Sequence, residues 1–317
     1  MFDSNFIKRL EYLSLLSKRV FKGQLLAQRR TKQTGGGIEF ADHREYLPGD
    51  DLRYLDWNVY ARHGDLLLKR FQEEEDLHVY VLLDCSHSMD EAGHVEQGAQ
   101  TSLQRGNQRR AAQNKSPHAL VTKFSFARQI AAALSYIALA DLDRVSVLAY
   151  DNQIRGTMPL MRGKDNVLTV LRFLERLQTS GETTDLASVA DDFARRAPRT
   201  GLVLVISDLF DHHGFRTGID ALRHRQFEPH VIQLHTPEEA APNLLGDIQL
   251  EDVESGRSVK VTITERKLKE YQQMFADFTE QIDRYCKTYG LSYTRATNDV
   301  PFDEVLLRMM RTAGAIG

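Results

Sequence analysis

The chain has 317 residues, of which 42% are hydrophobic, so it can bury a sizeable core as one large domain or as a domain with a smaller companion. Its formal net charge of -3 excludes the strongly basic character that is typical of nucleic-acid-binding proteins. We therefore expect no nucleic-acid partner.

The cysteine content and the N-terminal residues indicate where such a protein resides. The two cysteines, Cys85 and Cys286, do not make the framework of a disulfide-rich secreted protein. The N-terminal residues lack the apolar core of a signal peptide, and no run reaches the roughly 18 apolar residues that span a bilayer. We expect a cytoplasmic protein that does not span a membrane.

Residues 1–76 predict a helix followed by a small β-rich subdomain. Apolar residues at helical spacing predict an amphipathic helix within residues 1–19: Phe6, Ile7, Leu10, Leu13 and Leu16. Residues 20–76 then alternate short apolar and polar stretches around turn signals at 35–37, 48–50 and 63–65. This pattern is typical of hairpins.

From residue 77 the pattern changes to that of an α/β domain. Nearly continuous apolar runs predict strands at residues 77–84, 144–150, 201–208 and 230–236. Helical patterns lie between them, at residues 124–140, 166–177 and 186–197. Strands that are apolar on both faces and alternate with helices indicate a mostly parallel sheet covered by helices on both sides. We predict a doubly wound α/β domain over residues 77–243.

One segment interrupts this domain. Residues 90–118 are rich in Gln, Gly, Ala, Arg and Asn and contain few large apolar residues. A loop of this length in a compact domain is usually functional or disordered. It is interpreted either as a flexible lid or partner-contacting arm, or as a tolerated insertion.

The C-terminal residues are predicted to complete both the β-rich subdomain and the α/β domain. Residues 248–263 predict a hairpin that turns at Ser255 and Gly256 and completes the β-rich subdomain at about 244–264. A long helix follows, marked by Leu268, Tyr271, Phe275, Phe278, Ile282 and Tyr285. A late strand at 291–297 and a closing helix at 303–313 then let residues 265–317 complete the α/β domain.

Oxygen-bearing side chains are predicted to meet at one edge of the sheet. Asp84 ends the first strand and is followed at alternate positions by Ser86 and Ser88. Asp208 ends a later strand, and Thr184 precedes a helix between them. Because ligands bind at the carboxyl ends of parallel strands, these five side chains converge if the two strands are neighbours.

Three roles fit the Asp-x-Ser-x-Ser stretch: a covalent nucleophile, a metal cradle, or a polar strand end that caps the next helix. Oxygen donors without sulfur or imidazole suit Mg²⁺ or Mn²⁺ rather than zinc. Alternate residues of an extended turn point the same way, so Cys85 and His87 would face away from the ion. Neutral hydroxyl ligands leave the ion electrophilic, and a carboxylate from a partner would complete its coordination.

The motif resembles the metal-ion-dependent adhesion site of von Willebrand factor type A domains. It has Asp-x-Ser-x-Ser-Met at a strand end, Thr-Asp-Leu opening a helix, and a strand that ends Ile-Ser-Asp. The resemblance implies that Ser86, Ser88 and Thr184 touch the ion, while Asp84 and Asp208 act partly through water.

Two positions depart from the commonest form of that motif. Gly-Glu-Thr-Thr-Asp-Leu replaces Gly-Gly-Thr, so Thr183 competes with Thr184 as the ligand, and Thr184 is preferred because Asp-Leu follows it. Leu209 replaces the glycine that usually follows the last aspartate.

A longer stretch, residues 35–89, resembles the bacterial family called domain of unknown function fifty-eight. Its members carry an Arg-Glu-Tyr-x-Pro-Gly-Asp-Asp block before a von Willebrand-type domain, as this chain does. The resemblance implies work beside MoxR-type AAA+ ATPases in assembling, activating or metallating client proteins. The polar residues of the block are interpreted as a stiffening network or a docking site: Arg44, Glu45, Asp50, Asp51, Arg53, Asp56 and Trp57.

The sequence is therefore interpreted as that of a non-enzymatic, metal-dependent protein-binding adaptor whose partner is a MoxR-type ATPase or an acidic client. The chain lacks a phosphate-binding loop of its own, so a partner would supply any energy. One alternative is a magnesium-dependent phosphatase with Asp84 as nucleophile, although Ser86 stands where such enzymes have a second aspartate. A serine hydrolase lacks the glycines expected around Ser86. A metal-free interaction module is the remaining alternative.

Overall fold

The computed structural model describes residue 2 and residues 5–15, 34–35, 39–72, 77–90, 122–180, 183–242, 245–251 and 258–315. The first helix, α1, spans residues 5–15. It buries Phe6, Leu10 and Leu13 in the core, as the helical spacing predicts. Leu16, the last residue of that pattern, lies outside the described residues.

A three-stranded antiparallel sheet forms the β-rich subdomain. Its strands are β1 (Thr34–Gly35), β2 (Glu39–Glu45) and β3 (Leu67–Gln72). The order is β1-β3-β2, so the central strand is the last one in the chain. A single 3-10 turn, Leu52–Tyr54, lies in the connection between β2 and β3.

A helix also lies in this connection, where only hairpins were predicted. Asp56 caps α2 (Trp57–His63) by accepting hydrogen bonds from two backbone N–H groups of its first turn. Gly64 ends it with a φ of 77°, a left-handed conformation that favours glycine. The predicted hairpin turn at residues 63–65 is wrong, because this glycine marks the end of a helix.

Charged side chains pair within the subdomain. The Arg44 guanidinium donates to both carboxylate oxygens of Asp50, at 2.8 and 2.6 Å. The Nε2 atom of His43 lies 2.9 Å from Oδ2 of Asp56, which ties β2 to the start of α2. These contacts are those of a stiffening network, whereas the Trp57 side chain remains 60% exposed.

The main sheet has six strands. They are β4 (His78–Asp84), β5 (Arg144–Tyr150), β6 (Ile154–Arg162), β7 (Leu202–Ser207), β8 (Glu228–His235) and β11 (Ser292–Thr297). Their order is β11-β8-β7-β4-β5-β6, and every neighbouring pair is parallel except β5 with β6. This arrangement confirms the predicted mostly parallel sheet. The edge strand β6 was not predicted, because an edge strand with little buried surface has no continuous apolar run.

Helices cover both faces of the sheet. One face carries α1 together with α3 (Lys123–Ala140), α4 (Val167–Arg176) and α9 (Phe302–Ala315). The other carries α5 (Leu186–Arg196), α6 (Phe215–His224) and α8 (Glu265–Thr288), of which α6 was not predicted. A short helix, α7 (Pro237–Ala240), follows β8. Within the described ranges, no helix combines the length and apolar character needed to cross a bilayer.

The predicted C-terminal hairpin is present as β9 (Gly246–Glu251) and β10 (Ser258–Ile263). It forms its own two-stranded sheet, and in the part of the chain that the structure describes it does not pair with the three-stranded sheet. The expected completion of the β-rich subdomain by strand pairing is thus not observed there. The turn at Ser255 and Gly256, and the insertion beyond Asp90, lie outside the described residues.

Helices α5 and α6 pack closely at Gly218. A Cβ atom at this position would lie 2.5 Å from Cγ of Leu186 and 2.9 Å from its carbonyl carbon. Leu186 is the first residue of α5, two positions after Thr184. The missing side chain at Gly218 therefore helps to set the position of Thr184 at the edge of the sheet.

We expect Gly218→Ala to lower the free energy of unfolding by about 1–2 kcal/mol, because the backbone clash outweighs the gain in helix propensity. Denaturant unfolding followed by circular dichroism measures the change. Thr217→Ala replaces an exposed side chain of the same helix and should stay within about 0.5 kcal/mol of the wild type. Equal midpoints for the two variants would contradict the close packing.

Candidate metal site

Strands β4 and β7 are neighbours, as a shared site requires. They run parallel, with Leu83 opposite Ile206 in the register. Asp84 and Asp208 therefore follow at the same edge of the sheet, and both are fully buried. The five side chains singled out in the sequence lie on the strand ends and loops of this edge.

The Asp84 carboxylate is held by hydrogen bonds from three directions. Its Oδ1 accepts from the backbone N–H of Ser86 at 2.9 Å. Its Oδ2 accepts from the hydroxyl of Ser207 at 2.6 Å and from the hydroxyl of Thr184 at 3.4 Å. Sequence reasoning missed Ser207, which follows the last apolar residue of β7 and lies beside Asp84 on the adjacent strand.

A 3-10 turn after β4, His87–Asp90, brings the two serines together. The hydroxyl oxygens of Ser86 and Ser88 are 3.1 Å apart. Two adjacent ligands of an octahedral Mg²⁺ ion, each about 2.1 Å from the metal, are separated by about 3.0 Å. The spacing of the two hydroxyls therefore matches one edge of such an octahedron.

The residue between Asp84 and Ser86 faces elsewhere, as predicted from alternation. The thiol of Cys85 donates to the carbonyl oxygen of Tyr150 at 3.0 Å. Burial raises the pKa of this thiol to about 12, and the charge of Asp84 adds to the effect. Cys85 is thus a protonated packing group rather than a metal-binding thiolate.

Thr184, and not Thr183, lies beside the aspartate. Thr184 is 3% exposed and its hydroxyl points to Asp84, whereas Thr183 is half-buried. The next residue, Asp185, caps α5 by accepting from the backbone N–H of Ser188 at 2.9 Å. The cap fixes the start of the helix and with it the preceding threonine.

The second aspartate is already bound to a cation. The ammonium of Lys123 donates to Oδ2 of Asp208 at 2.9 Å, and both side chains are completely buried. The same ammonium also pairs with Glu239 of α7. Lys123 was not predicted, and the only sequence signal is a lysine placed directly before the apolar residues of α3.

Leu209 stands where the adhesion-site motif usually has glycine, and it adopts a backbone conformation that favours glycine. Leu209 adopts a φ of 63°, the left-handed conformation that glycine adopts most readily. Its N–H donates to the Ser207 hydroxyl at 2.8 Å, and its side chain is buried among α5, α6 and α8. Core packing and this hydrogen bond hold the leucine in a conformation that costs about 1 kcal/mol or more.

The buried position of Asp84 next to Asp208 disfavours the ionised form of its carboxyl group. Burial, followed by the charge of Asp208, raises the pKa of Asp84 to about 7, although hydrogen bonds from Ser207 and Ser86 oppose the rise. Burial and the charge of Asp84 likewise raise the pKa of Tyr150, which lies opposite Asp84 in β5. A cation bound beside Asp84 would stabilise the ionised carboxylate and lower its pKa.

The donor set has the oxygen chemistry that a hard divalent ion requires. The hydroxyls of Ser86 and Ser88 lie within hydrogen-bonding distance of each other, and the Thr184 hydroxyl lies within that distance of Asp84. Asp208 is engaged by Lys123. Among the described residues, no three or more His, Cys, Asp or Glu side chains are placed to hold a metal. Hydroxyls would therefore have to supply most of the ligands.

The chain belongs to the family described as Protein of unknown function DUF58, whose match covers residues 42–102 and 110–281. An uncharacterized protein of Mycobacterium bovis is 25% identical over 256 residues, which are 80% of this chain and 73% of the relative. An uncharacterized protein of Mycobacterium tuberculosis gives the same values. The family resemblance seen in the sequence is thereby confirmed, while the relatives are named without a function.

Two solved structures show a distant similarity. BatB from Bacteroides thetaiotaomicron, a conserved hypothetical protein, has a TM-score of 0.43 and 15% identity over 75% of this chain and 99% of its own. An aerotolerance-related membrane protein from Bacteroides fragilis has a TM-score of 0.41 and 15% identity over 74% of this chain and 99% of its own.

The raised pKa of Asp84 predicts a pH-dependent stability of the metal-free protein. The folded state keeps a proton on Asp84 that the unfolded state releases near pH 4, so this group lowers the stability increasingly as pH rises from about 4 to 7. Asp84→Asn removes that loss. We expect its advantage over the wild type to grow by about 2 kcal/mol between pH 5 and pH 8.

Denaturant unfolding in the presence of a chelator measures this difference. The matched control is Asp191→Asn, an exposed carboxylate on α5, whose difference from the wild type should stay the same at the two pH values. If Asp84→Asn behaves like this control, the buried carboxylate does not carry the predicted proton.

Proposed function

We propose that this member of the family is a non-enzymatic protein-binding module that uses a divalent metal ion, Mg²⁺ or Mn²⁺. Asp84, Ser86, Ser88 and Thr184 would hold the ion, with Asp208 acting through water. An acidic side chain of a partner would complete the coordination. In this proposal the main domain is related to von Willebrand factor type A domains.

The observation that carries the proposal is the convergence of hydroxyl and carboxylate oxygens at one sheet edge. The 3.1 Å separation of Ser86 and Ser88 and the contact of Thr184 with Asp84 place donors from two distant segments together. Capping alone would account for single Asp or Ser side chains bonded to nearby N–H groups. It does not account for the contact of the Thr184 hydroxyl with Asp84, which lies 100 residues away in the chain.

The chemistry of the donor set favours capture of an anion. Three of the four ligands are neutral, so a divalent ion would keep much of its charge after binding. Mg²⁺ usually completes its octahedral shell with waters and with oxygens of a ligand. A partner carboxylate that replaces one water would gain a charge-assisted contact, and removal of the ion would release the partner.

The identity of the partner rests on the family resemblance alone. That resemblance suggests a MoxR-type AAA+ ATPase, an acidic client protein, or both, in assembly, activation or metallation. The exposed Trp57 of the β-rich subdomain is available to widen such an interface.

The phosphatase alternative requires Asp84 to attack a phosphorus atom. Asp84 is 0% exposed, and both of its oxygens already accept hydrogen bonds. Ser86 occupies the position where such enzymes carry a second aspartate. Hydrolysis of an aryl phosphate in the presence of Mg²⁺ that is lost in Asp84→Asn would favour the phosphatase over the binding module.

Calorimetric titration of Mg²⁺ and Mn²⁺ into metal-stripped protein tests the site itself. We expect saturable binding with one ion per chain, which Asp84→Ala and Ser86→Ala both abolish because each removes a donor. Asp191→Ala and Ser292→Ala change exposed residues and serve as matched controls that should bind as the wild type does. Binding that survives in both site variants would place the ion elsewhere.

Capture of the partner tests the function. A tagged chain expressed together with a MoxR-type ATPase should retain it in Mg²⁺ and lose it in a chelator, and Asp84→Ala should lose it in both. The Asp191→Ala variant should retain the ATPase as the wild type does. If the Asp84→Ala variant retained the ATPase in the chelator, the metal-bridged contact would be refuted and the metal-free interaction module favoured.

A further inference from the structure

A lysine occupies the acidic end of the candidate metal site. Lys123 is the first residue of α3, and its whole side chain is buried. The Thr122 hydroxyl caps the helix by accepting from the N–H of Ser125, which fixes the backbone of Lys123. The ammonium can therefore reach Asp208 and Glu239 only from this one anchored position.

The surroundings keep this lysine charged. Burial alone would lower the pKa of Lys123, but the charges of Asp208 and Glu239, with the hydrogen bonds to both, raise it above its ordinary value. The aromatic ring of Phe210 lies 5.7 Å from the ammonium and adds a weak cation–π contact. The positive charge is a permanent part of the sheet edge.

Glu239 is held in place as the second acceptor. It lies in the first turn of α7, where its Oε2 accepts from the N–H of Thr236 at 2.7 Å. In return, the Thr236 hydroxyl accepts from the N–H of Glu239 at 3.0 Å, which completes a capping box. This leaves Oε1 for Lys123, so the ammonium has a fixed partner besides Asp208.

A divalent ion and this ammonium cannot share Asp208 without repulsion. An ion bound by Asp84, Ser86 and Ser88 with Asp208 behind a water would share the Asp208 carboxylate with the ammonium, in an environment that screens charge poorly. Binding of the ion is easier when the ammonium moves towards Glu239. In the metal-free structure the ammonium bridges Asp208 and Glu239, so it can leave Asp208 and keep Glu239 as its partner.

We propose that Lys123 is a built-in competitor of the metal ion, which bridges Asp208 and Glu239 while the metal is absent and gives up Asp208, keeping Glu239, when the ion binds. This inference rests on the proposed metal site and adds the residues that set its affinity. Glu239 acts as a positioning residue, since it touches neither the ion nor the partner but receives the displaced lysine.

Two substitutions with opposite expected effects test the proposal. Lys123→Met keeps the length and apolar stem of the side chain but removes the charge, so the dissociation constant for Mg²⁺ should fall by about tenfold or more. Glu239→Gln keeps the capping box but offers the lysine a weaker alternative, so the dissociation constant should rise by about fivefold. A merely structural role would weaken binding in both variants.

The double variant separates the lysine from a general charge effect. Without Lys123 there is nothing for Glu239 to receive, so Lys123→Met with Glu239→Gln should bind Mg²⁺ within about twofold of Lys123→Met alone. Lys164→Met removes an exposed lysine and controls for net charge. Calorimetry on metal-stripped protein gives the affinities, and thermal unfolding with and without Mg²⁺ provides a second readout.

The outcomes distinguish this inference from the metal site on which it rests. If wild type and Lys123→Met bind Mg²⁺ equally well, the site stands and the competition is refuted. If neither binds, the metal site fails and the inference fails with it. Should Lys123→Met not fold, Lys123→Gln removes the same charge and takes its place, with tighter binding of Mg²⁺ expected and equal or weaker binding overturning the proposal.

Discussion

Two carboxylates buried at one edge of a parallel sheet are the constraint on which the rest of the site depends. Asp84 ends β4 and Asp208 follows the neighbouring strand β7, so the register of the two parallel strands holds the carboxylates close together. Ionised carboxylates in a poorly solvated place repel each other and lose hydration. The residues around them therefore have to supply hydrogen bonds, positive charge or both.

The two carboxylates are stabilised in different ways. Asp84 receives hydroxyl and N–H donors from three segments, and these neutral contacts leave its pKa raised. Asp208 receives a full positive charge from Lys123. Among the described residues, Asp84 thus lacks a positively charged partner, whereas Asp208 already has one. A cation that approached this edge of the sheet would be attracted more strongly to Asp84 than to Asp208.

Much of the fold follows from local sequence patterns. The buried strands β4, β5, β7 and β8 contain nearly continuous apolar runs, so they were predicted together with the parallel sheet. The edge strand β6 and the helix α2 were missed, because an exposed strand and a seven-residue helix carry little periodicity. The glycine at position 64 was assigned to a hairpin, although glycine ends helices as readily as it turns strands.

Some residues of the candidate site could also be predicted from the sequence, and others could not. Asp84, Ser86 and Ser88 are close in sequence, and the topology rule brings Asp208 to the same edge, so these could be placed from the sequence. Lys123 could not, because its partners are 85 and 116 residues away and no periodic pattern specifies such a pairing. Long-range ion pairs become visible only when the elements that carry them are assembled.

The lysine at Asp208 also bears on how the protein matures. Classical zinc fingers stay unfolded until their ion arrives, because the metal itself closes the structure. Here Lys123 of the chain itself neutralises Asp208, so this carboxylate needs no ion to balance its buried charge. In the proposed function, loading of the ion would be a later and reversible event, suited to reporting the supply of divalent cations or the arrival of a partner rather than to building the fold.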